Sequence, residues 1–260
     1  GCSAIINCAG TTDMKLPSVE DFLPVNRDLP RLLCSVATRC GITAIIHTST
    51  ANTIVTGTRE HPSDEAAPFG PPYDKSPYAL SKKAGEDILL EYGAAHPELR
   101  IVIVNPGFML GAYDTKPSSG QMVILGWKKP LLFVTGGAKS ILHVKDAATA
   151  IVNALERGSG RYLLTGECLT LKDFYRLQAK VCGYRQLCIV LPDWMEEVLG
   201  WIGSAFKFLG IRTDIYPHNV RQLVYEEWYD CSRARRELGY TLSPVEDAIR
   251  DFVGWYYKKC

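Results

Sequence analysis

The sequence lacks the features by which several classes of protein are recognised. It has no surplus of either charge, since 29 basic and 28 acidic side chains give a formal net charge of +1. Such a balance argues against a nucleic-acid partner and against an anionic lipid surface. No apolar run is long enough to span a bilayer, and the first residues do not resemble a secretory signal. The sequence therefore argues against membrane association.

The sequence also lacks clustered metal ligands and a disulfide framework. Its nine cysteines are odd in number, scattered, and never spaced as CxxC. Its five histidines are far apart in the chain, whereas zinc sites draw on clustered ligands. We therefore expect no metal site, and we interpret most of the cysteines as buried apolar side chains of a reduced, cytoplasmic protein.

Buried strands and helices alternate over the first two thirds of the chain. Apolar, β-branched runs predict strands at "SAIINCAG", "ITAIIHTST", "LRIVIVNPG" and "GRYLLTG", and apolar spacing predicts helices ending near Gly41, over 77–93 and in "VKDAATAIVNALERG". Residues 55–75 are rich in Gly, Pro, Asp and Thr and predict a loop. This alternation predicts an α/β fold with a Rossmann-like, doubly wound parallel sheet over 1–165.

The second part of the chain, residues 166–260, has a different pattern. Helical segments joined by short polar links predict a smaller, mainly helical lobe, with the chain crossing between the two parts. The stretch "LPDWMEEVLGWIGSAFKFLG" carries a broad apolar stripe. We interpret it as a helix that packs on the core or lines an apolar substrate pocket.

Tyr78 and Lys82 are the first candidates for chemistry. They stand four positions apart in a helix whose start is marked by Ser76 and Pro77, so both side chains share one helix face. A lysine cation near a tyrosine is expected to lower the pKa of the phenol and to make it a usable acid or base. Because such pairs are also frequent on solvated helices, the spacing alone does not decide their role.

Three hydroxyls at the end of a predicted strand give the pair its context. Thr48, Ser49 and Thr50 lie where a parallel strand opens at its carboxyl end, the edge at which open α/β sheets bind ligands. A hydroxyl there could hold a substrate carbonyl against Tyr78, or merely satisfy backbone groups in a turn. We favour the first role for Thr50 and the second for Ser49.

Eight segments occur in the order seen in extended short-chain dehydrogenases, the NAD-dependent epimerase/dehydratase family. They are "INCAG", "PVNRDLPRLL", "IIHTSTAN", "YALSKKAGE", "VNPGFMLG", "ILHVKDAATAIVNALE", "GRYLLTGE" and "SRARRELGY". The chain resembles this family over its whole length. The "NPGFMLG" and C-terminal segments look most similar to dihydroflavonol-reductase-like proteins.

The resemblance implies roles for individual residues. Tyr78 corresponds to the catalytic tyrosine and Lys82 to the lysine that holds the nicotinamide ribose. Thr50 corresponds to the hydroxyl beside the tyrosine, with Ser49 one position away in an uncertain register. The resemblance also implies contacts with NADP or NAD from Ala9, Gly10, Thr48, Tyr78, Lys82, Pro106, Met109 and Ser119.

The resemblance also implies structural roles for three further residues and a homodimer. Asn26 is expected to be a buried structural amide. His143 and Asp146 are expected to form a strand-to-helix corner, with Asp146 in the first helical turn, where its charge suits the helix dipole. The helices at 27–40 and 77–93 resemble those of the family's dimer, which implies a homodimer.

The sequence departs from the family where the pyrophosphate is held. The family begins with a glycine-rich strand-to-helix turn, GxxGxxG, and no such turn occurs here. The chain starts at what resembles the family's fourth strand, so we expect roughly two βα units upstream. The residue that selects NAD or NADP would lie among them.

The leading functional prediction is an NAD(P)-dependent oxidoreductase acting on a small carbonyl or alcohol substrate. A nucleotide-sugar epimerase or dehydratase shares the tyrosine and lysine but keeps its cofactor through the cycle. It would need cations for the sugar phosphates, for which Arg212, Arg221 and the 233–236 cluster are candidates. A non-catalytic, cofactor-sensing module is the third reading, and the presence of both Tyr78 and Lys82 argues against it.

Overall fold

The computed structural model describes residues 1–13, 16–192 and 224–257. Its strands are β1 Ala4–Asn7, β2 Ala44–Thr48, β3 Arg100–Pro106, β4 Phe108–Leu110, β5 Leu131–Val134, β6 Ala138–His143, β7 Gly160–Leu164, β8 Glu167–Thr170 and β9 Leu187–Val190. Its α-helices are α1 Leu29–Cys40, α2 Pro77–Ala95, α3 Gly120–Gly126, α4 Val144–Asn153, α5 Leu171–Val181, α6 Ser232–Leu238 and α7 Val245–Tyr256. A short 3-10 helix, Ala51–Thr53, follows β2.

Four parallel strands form the main sheet, in the order β1-β2-β3-β7. The central strands, "AIIHT" and "RIVIVNP", are mostly apolar on both faces and buried except at Thr48 and Arg100, which is the pattern of a parallel sheet covered by helices on two sides. On one side α1 and α2 pack over Ile45 and Ile103, and on the other α4 and α6 pack over Ile46 and Val102. The predicted α/β class is confirmed.

Two smaller sheets accompany the main one. Strands β4, β6 and β8 form a mixed sheet in which β8 runs antiparallel to β6, and β5 pairs in parallel with β9. The second part of the chain therefore contributes strands as well as helices, and it crosses back to pair with strands of the first part. The boundary predicted near residue 165 stays a prediction.

Helix α2 begins as its sequence predicts. Ser76 is the N-cap, and its side chain accepts a hydrogen bond from the backbone N–H of Ala79, while Pro77 occupies the first helical position. The helix predicted before Gly41 is broken at its start into a 3-10 turn at 19–21 and a π-helical turn at 24–28. Its end at Gly41 agrees with the prediction, because this residue adopts the left-handed conformation, with φ 67°.

A glycine sets the distance between α2 and the π-helical turn. A Cβ added to Gly85 would lie 2.1 Å from the backbone oxygen of Asn26, whereas a Cβ at Gly254 in α7 meets nothing within 4 Å. Gly85→Ala is therefore expected to lower the free energy of unfolding by about 1–3 kcal/mol or more through overpacking. Gly254→Ala, the matched control, is expected to raise it by up to about 1 kcal/mol through helix propensity. Urea denaturation of both variants tests the pair, and equal effects would contradict this account of the packing.

Two expectations concern the membrane and the apolar stretch in the second lobe. Among the residues that the structure describes, none of the helices combines the length and the hydropathy needed to cross a bilayer. Residues 193–210 of the "LPDWMEEVLGWIGSAFKFLG" stretch, whose role in the second lobe was predicted above, lie outside the described residues.

Candidate active site

The predicted site residues converge on the carboxyl edge of the main sheet. Strand β1 ends at Asn7, which is in register with His47 of β2, and Thr48 is in register with Val104 of β3. The turn that follows Asn7 and the hydroxyl run that follows His47 therefore emerge side by side. In open α/β sheets this edge is the ligand-binding edge.

Thr50 and Tyr78 meet directly at this edge. The Thr50 side chain caps the 3-10 helix by accepting from the backbone N–H of Asn52, at 3.3 Å, and its hydroxyl acts on the neighbouring Tyr78 phenol to lower its pKa. The ring of Phe22 packs at a tilt against the Tyr78 ring, with centroids 6.2 Å apart. Of the two hydroxyls that the sequence left open, Thr50 is the one that contacts the tyrosine.

Lys82 lies one helical turn beyond Tyr78 and is buried. Its Nζ donates a hydrogen bond of 2.7 Å to the backbone oxygen of Thr48. Burial, as the largest effect, lowers the pKa of Lys82 to about 8, while the nearby Glu86 and Cys8 oppose the shift. A lysine at the end of β2 and a tyrosine held by Thr50 are thus fixed against the same strand end.

The expected effect of Lys82 on Tyr78 is not seen. Burial raises the pKa of Tyr78 to about 12, the hydrogen bond from Thr50 lowers it, and the charge of Glu86 raises it further. Removal from water outweighs the effect of Thr50, and the lowering of this pKa by Lys82 stays a prediction. Tyr78 is accordingly a neutral phenol at neutral pH.

A buried amide and imidazole hold the turn after β1. The Asn7 Oδ1 atom accepts from the backbone N–H of Ala9 at 3.1 Å, and its Nδ2 donates to Nδ1 of His47 at 2.9 Å. This arrangement requires the His47 proton on Nε2. Burial, and to a lesser degree the charge of Lys82, lowers the pKa of His47 to about 3, so the imidazole is neutral. The sequence analysis did not identify this link, although both residues stand at the ends of adjacent predicted strands.

Asn26 occupies the buried structural position that was expected of it. Its Oδ1 accepts from the backbone N–H of Thr11 at 2.9 Å, and its Nδ2 donates to the Thr11 oxygen at 3.0 Å and to Ser81 Oγ at 2.9 Å. The amide therefore ties the turn after β1 to α2, the helix that carries Tyr78 and Lys82.

Met109 and Ser119 share a cavity. Both line an open cavity of about 450 Å³ that also includes Gly111, Lys145 and Asp251. Neither Tyr78 nor Lys82 is among the residues that line this cavity. Pro106, the last residue of β3, is buried and connects the sheet to the strand that bears Met109.

The turn after β1 lies open beside the ammonium group of Lys82, which suits the ribose part of a dinucleotide. Gly10 has no side chain where a Cβ would lie 3.7 Å from Nζ of Lys82 and 3.6 Å from Oδ1 of Asn26, so the turn leaves space beside the lysine. An ammonium group has three hydrogens, and the Nζ bond to Thr48 engages one of them. Ribose hydroxyls suit such a donor, and Ala9 and Gly10 of the turn are solvent-exposed.

The corner after β6 matches its predicted structural role. His143 caps α4, its Nδ1 accepting from the backbone N–H of Lys145 at 3.1 Å. Asp146 lies in the first turn of α4 and accepts from the backbone N–H and hydroxyl of Ser243, at 2.7 and 2.8 Å. The corner therefore also fixes the segment that leads into α7.

The candidates for a sugar-phosphate site are only partly described. Arg212 and Arg221 lie outside the described residues. Arg233 packs over the Tyr162 ring and donates to the backbone oxygens of Ser159 and Arg161, at 2.9 and 3.1 Å. It serves the packing of α6 on β7. Within the described ranges, no group of three or more metal-ligating side chains occurs.

Glu86, Asn105 and Thr53 form a buried polar cluster beneath Thr50 that the sequence analysis did not identify. Asn105 Nδ2 donates to Oε1 of Glu86 at 2.6 Å, and Thr53 Oγ1 lies 2.7 Å from the same oxygen. The spacing could have indicated that Glu86 lies on the same helix face, since Glu86 follows Lys82 by four residues, as Lys82 follows Tyr78. Its burial could not be predicted in this way, because a glutamate on a helix is ordinarily solvated.

Comparison with known proteins agrees with this architecture. Residues 1–164 match the family described as NAD dependent epimerase/dehydratase family. The chain is 25% identical over 269 residues to sterol demethylase protein B of Methylococcus capsulatus, covering 100% of this chain and 80% of that protein. It is 24% identical over 266 residues to a protein of Synechocystis named as a dihydroflavonol 4-reductase, covering 98% and 76%.

A solved structure gives the same result. The crystal structure of gox2253 superposes with a TM-score of 0.82 at 26% identity, covering 100% of this chain and 79% of that one. The family match covers more than half of the chain, including the strand ends, Tyr78 and Lys82, and it therefore establishes the family. The chain belongs to the NAD dependent epimerase/dehydratase family.

Proposed function

We propose that this protein is an NAD(P)-dependent oxidoreductase of the extended short-chain type that interconverts a carbonyl and an alcohol. Tyr78 protonates the substrate oxygen in reduction and takes its proton in oxidation. Thr50 donates a hydrogen bond to the same oxygen, and Lys82 holds the ribose hydroxyls. The observation that carries the proposal is the bond of the buried Lys82 to the end of β2, with Tyr78 on the same helix and the Thr50 hydroxyl acting on it, at the carboxyl edge of the sheet.

The protonation states suit reduction. A phenol whose pKa is raised to about 12 keeps its proton at neutral pH and is ready to donate it as negative charge develops on a carbonyl oxygen. Lys82, with a pKa lowered to about 8, is mostly a cation at pH 7 and is well placed to bind hydroxyl oxygens. Because Tyr78 and Thr50 are fixed before substrate arrives, little reorganisation accompanies proton transfer.

The cofactor is expected to lie along the strand ends. The residues that would hold it are Ala9, Gly10, Thr48, Tyr78, Lys82, Pro106, Met109 and Ser119. When bound, the nicotinamide supplies or accepts the hydride. The protein's own part is to position Tyr78 and Thr50 on one oxygen and to keep Lys82 charged beside them.

The stoichiometry of cofactor use tests this function. The protein is incubated with NADH or NADPH and a panel of carbonyl compounds, including dihydroflavonols and sterol ketones because of the relatives' names. One molecule of cofactor oxidised for each molecule of alcohol formed is expected. Conversion of a UDP- or GDP-sugar without net cofactor oxidation would instead indicate an epimerase. No turnover with any panel member, and no rise in Tm with either cofactor, would support a non-catalytic role.

Two further properties belong to this proposal. Leu32 of α1 and Leu90 of α2 are 55% and 37% exposed, which supports a homodimer formed through these helices, and the mass in solution tests it.

Among the described residues the cysteines are free thiols, which supports a reducing compartment such as the cytoplasm.

A further inference from the structure

Glu86 continues the helix face that carries Tyr78 and Lys82, yet it is completely buried. Its carboxylate is 0% exposed. Oε1 lies 2.7 Å from Thr53 Oγ1 and accepts from Asn105 Nδ2, and Oε2 lies 3.7 Å from Nη1 of Arg161. Two neutral donors and a guanidinium are surroundings that favour an ionised carboxylate. They oppose the effect of burial, which is the largest one and raises the pKa of Glu86.

The partners of Glu86 are also the partners of Thr50. The backbone oxygen of Thr50 accepts from Asn105 Nδ2 at 3.1 Å and lies 2.9 Å from Thr53 Oγ1, whose single hydrogen it shares with Glu86. Asn105 Nδ2 also lies 3.0 Å from Thr53 Oγ1. The carboxylate therefore orients two side chains, one on β3 and one on the 3-10 helix, that fix the backbone of the residue whose hydroxyl meets Tyr78.

Glu86 also acts on Lys82 through its charge. The attraction of the carboxylate raises the pKa of Lys82, against the larger opposing effect of burial. The other groups that face Lys82 are Cys8 in the turn after β1 and His47 on β2, which interacts with it electrostatically and is neutral. In a buried setting, charges are weakly screened, so removal of this anion should favour the neutral amine.

We propose that Glu86 is a positioning residue of this site, which fixes Thr50 through Thr53 and Asn105 and keeps Lys82 in its cationic form. Nothing in this role requires Glu86 to touch the substrate. The role in catalysis rests on the proposed function, whereas the effects on Lys82 and on the Thr50 backbone are properties of the protein alone.

The direct test is the titration of Lys82 in Glu86→Gln, without cofactor or substrate. Lysine 13Cε chemical shifts are followed by NMR against pH, and the Lys82 signal is assigned by its loss in Lys82→Arg. Glutamine retains an oxygen for Thr53 and Asn105 and removes only the charge. The Lys82 pKa is expected to fall by about one unit or more, a change of roughly tenfold in its proton dissociation constant.

The matched control is Asp87→Asn. Asp87 is the next residue on the same helix, is 56% exposed, and pairs with Lys83, so its removal is expected to leave the Lys82 titration unchanged. A Lys82 pKa in Glu86→Gln that equals the wild-type value would overturn the electrostatic part of the proposal. An equal fall in Asp87→Asn would overturn it as well, because the effect would not be specific to Glu86.

A second variant tests the positioning part and remains informative where Glu86→Gln does not fold. Thr53→Val removes the hydroxyl that links Glu86 to the Thr50 backbone and leaves the Glu86 and Lys82 side chains, with the Asn105 and Arg161 contacts of Glu86, in place. It is expected to lower kcat at least several-fold with the Lys82 pKa and the KM for cofactor unchanged. An unchanged kcat, or a loss seen only in KM, would contradict the positioning role. An inactive wild-type protein would contradict the proposed function but not the effect of Glu86 on Lys82, since the Lys82 titration does not depend on turnover.

Discussion

Replacement of Tyr78 by phenylalanine is expected to lower kcat by roughly 100- to 10,000-fold, the usual contribution of a positioned general acid or base. The change removes the hydroxyl that Thr50 holds and leaves the ring in its contact with Phe22. The KM for cofactor should change much less than kcat, because Lys82 keeps its bond to the Thr48 oxygen. Steady-state kinetics of carbonyl reduction at pH 7 provide the measurement.

Tyr92→Phe is the control for the Tyr78 variant. Tyr92 lies on the same helix, and its hydroxyl is 2.7 Å from that of Thr38, away from the strand ends. It should keep wild-type turnover. Full activity in Tyr78→Phe, or an equal loss in Tyr92→Phe, would show that the proton comes from another group.

Acidification is expected to destabilise the protein through His47. The pKa of this buried imidazole is lowered to about 3, against about 6.5 in an unfolded chain. A group whose folded pKa is depressed contributes stability above its unfolded pKa and loses it as the pH falls toward the folded pKa. Between pH 7 and pH 4 this single group is expected to cost about 3 kcal/mol of the free energy of unfolding.

His47→Asn separates this effect from the titration of the carboxylates. The asparagine Oδ1 can take the place of Nδ1 as the acceptor for Asn7, and the variant has nothing to protonate at position 47. Urea denaturation at a series of pH values should show the wild type losing about 3 kcal/mol more than the variant between pH 7 and pH 4. Parallel pH profiles would contradict a buried, neutral His47.

The placement of the site could be predicted because it depends on local patterns. Ser76 and Pro77 mark the start of α2, and the periodicity of a helix then places Tyr78 and Lys82 on one face. The β-branched run before Thr48 predicts the strand, and the topology of parallel sheets predicts which end carries the ligand. These predictions depend on residues close together in the sequence, and they are correct for the four strands of the main sheet.

The electrostatics of the site could not be predicted in the same way. The pKa of Tyr78 depends on how completely the surrounding chain removes water, and burial raises it although a cation lies one turn away. Glu86 owes its burial to Asn105 on β3 and Arg161 on β7, contacts between residues distant in sequence. Strands β8 and β9, which pair with β6 and β5, were also missed.

The central claim is that Tyr78 and Thr50 act as a unit on one substrate oxygen. The most direct test is the single-turnover rate of hydride transfer in Tyr78→Phe, in Thr50→Val and in the double variant. Residues that act as a unit are strongly non-additive, so the double variant is expected to be about as slow as Tyr78→Phe alone. Losses that multiply in the double variant would show that the two hydroxyls act independently and would contradict the account.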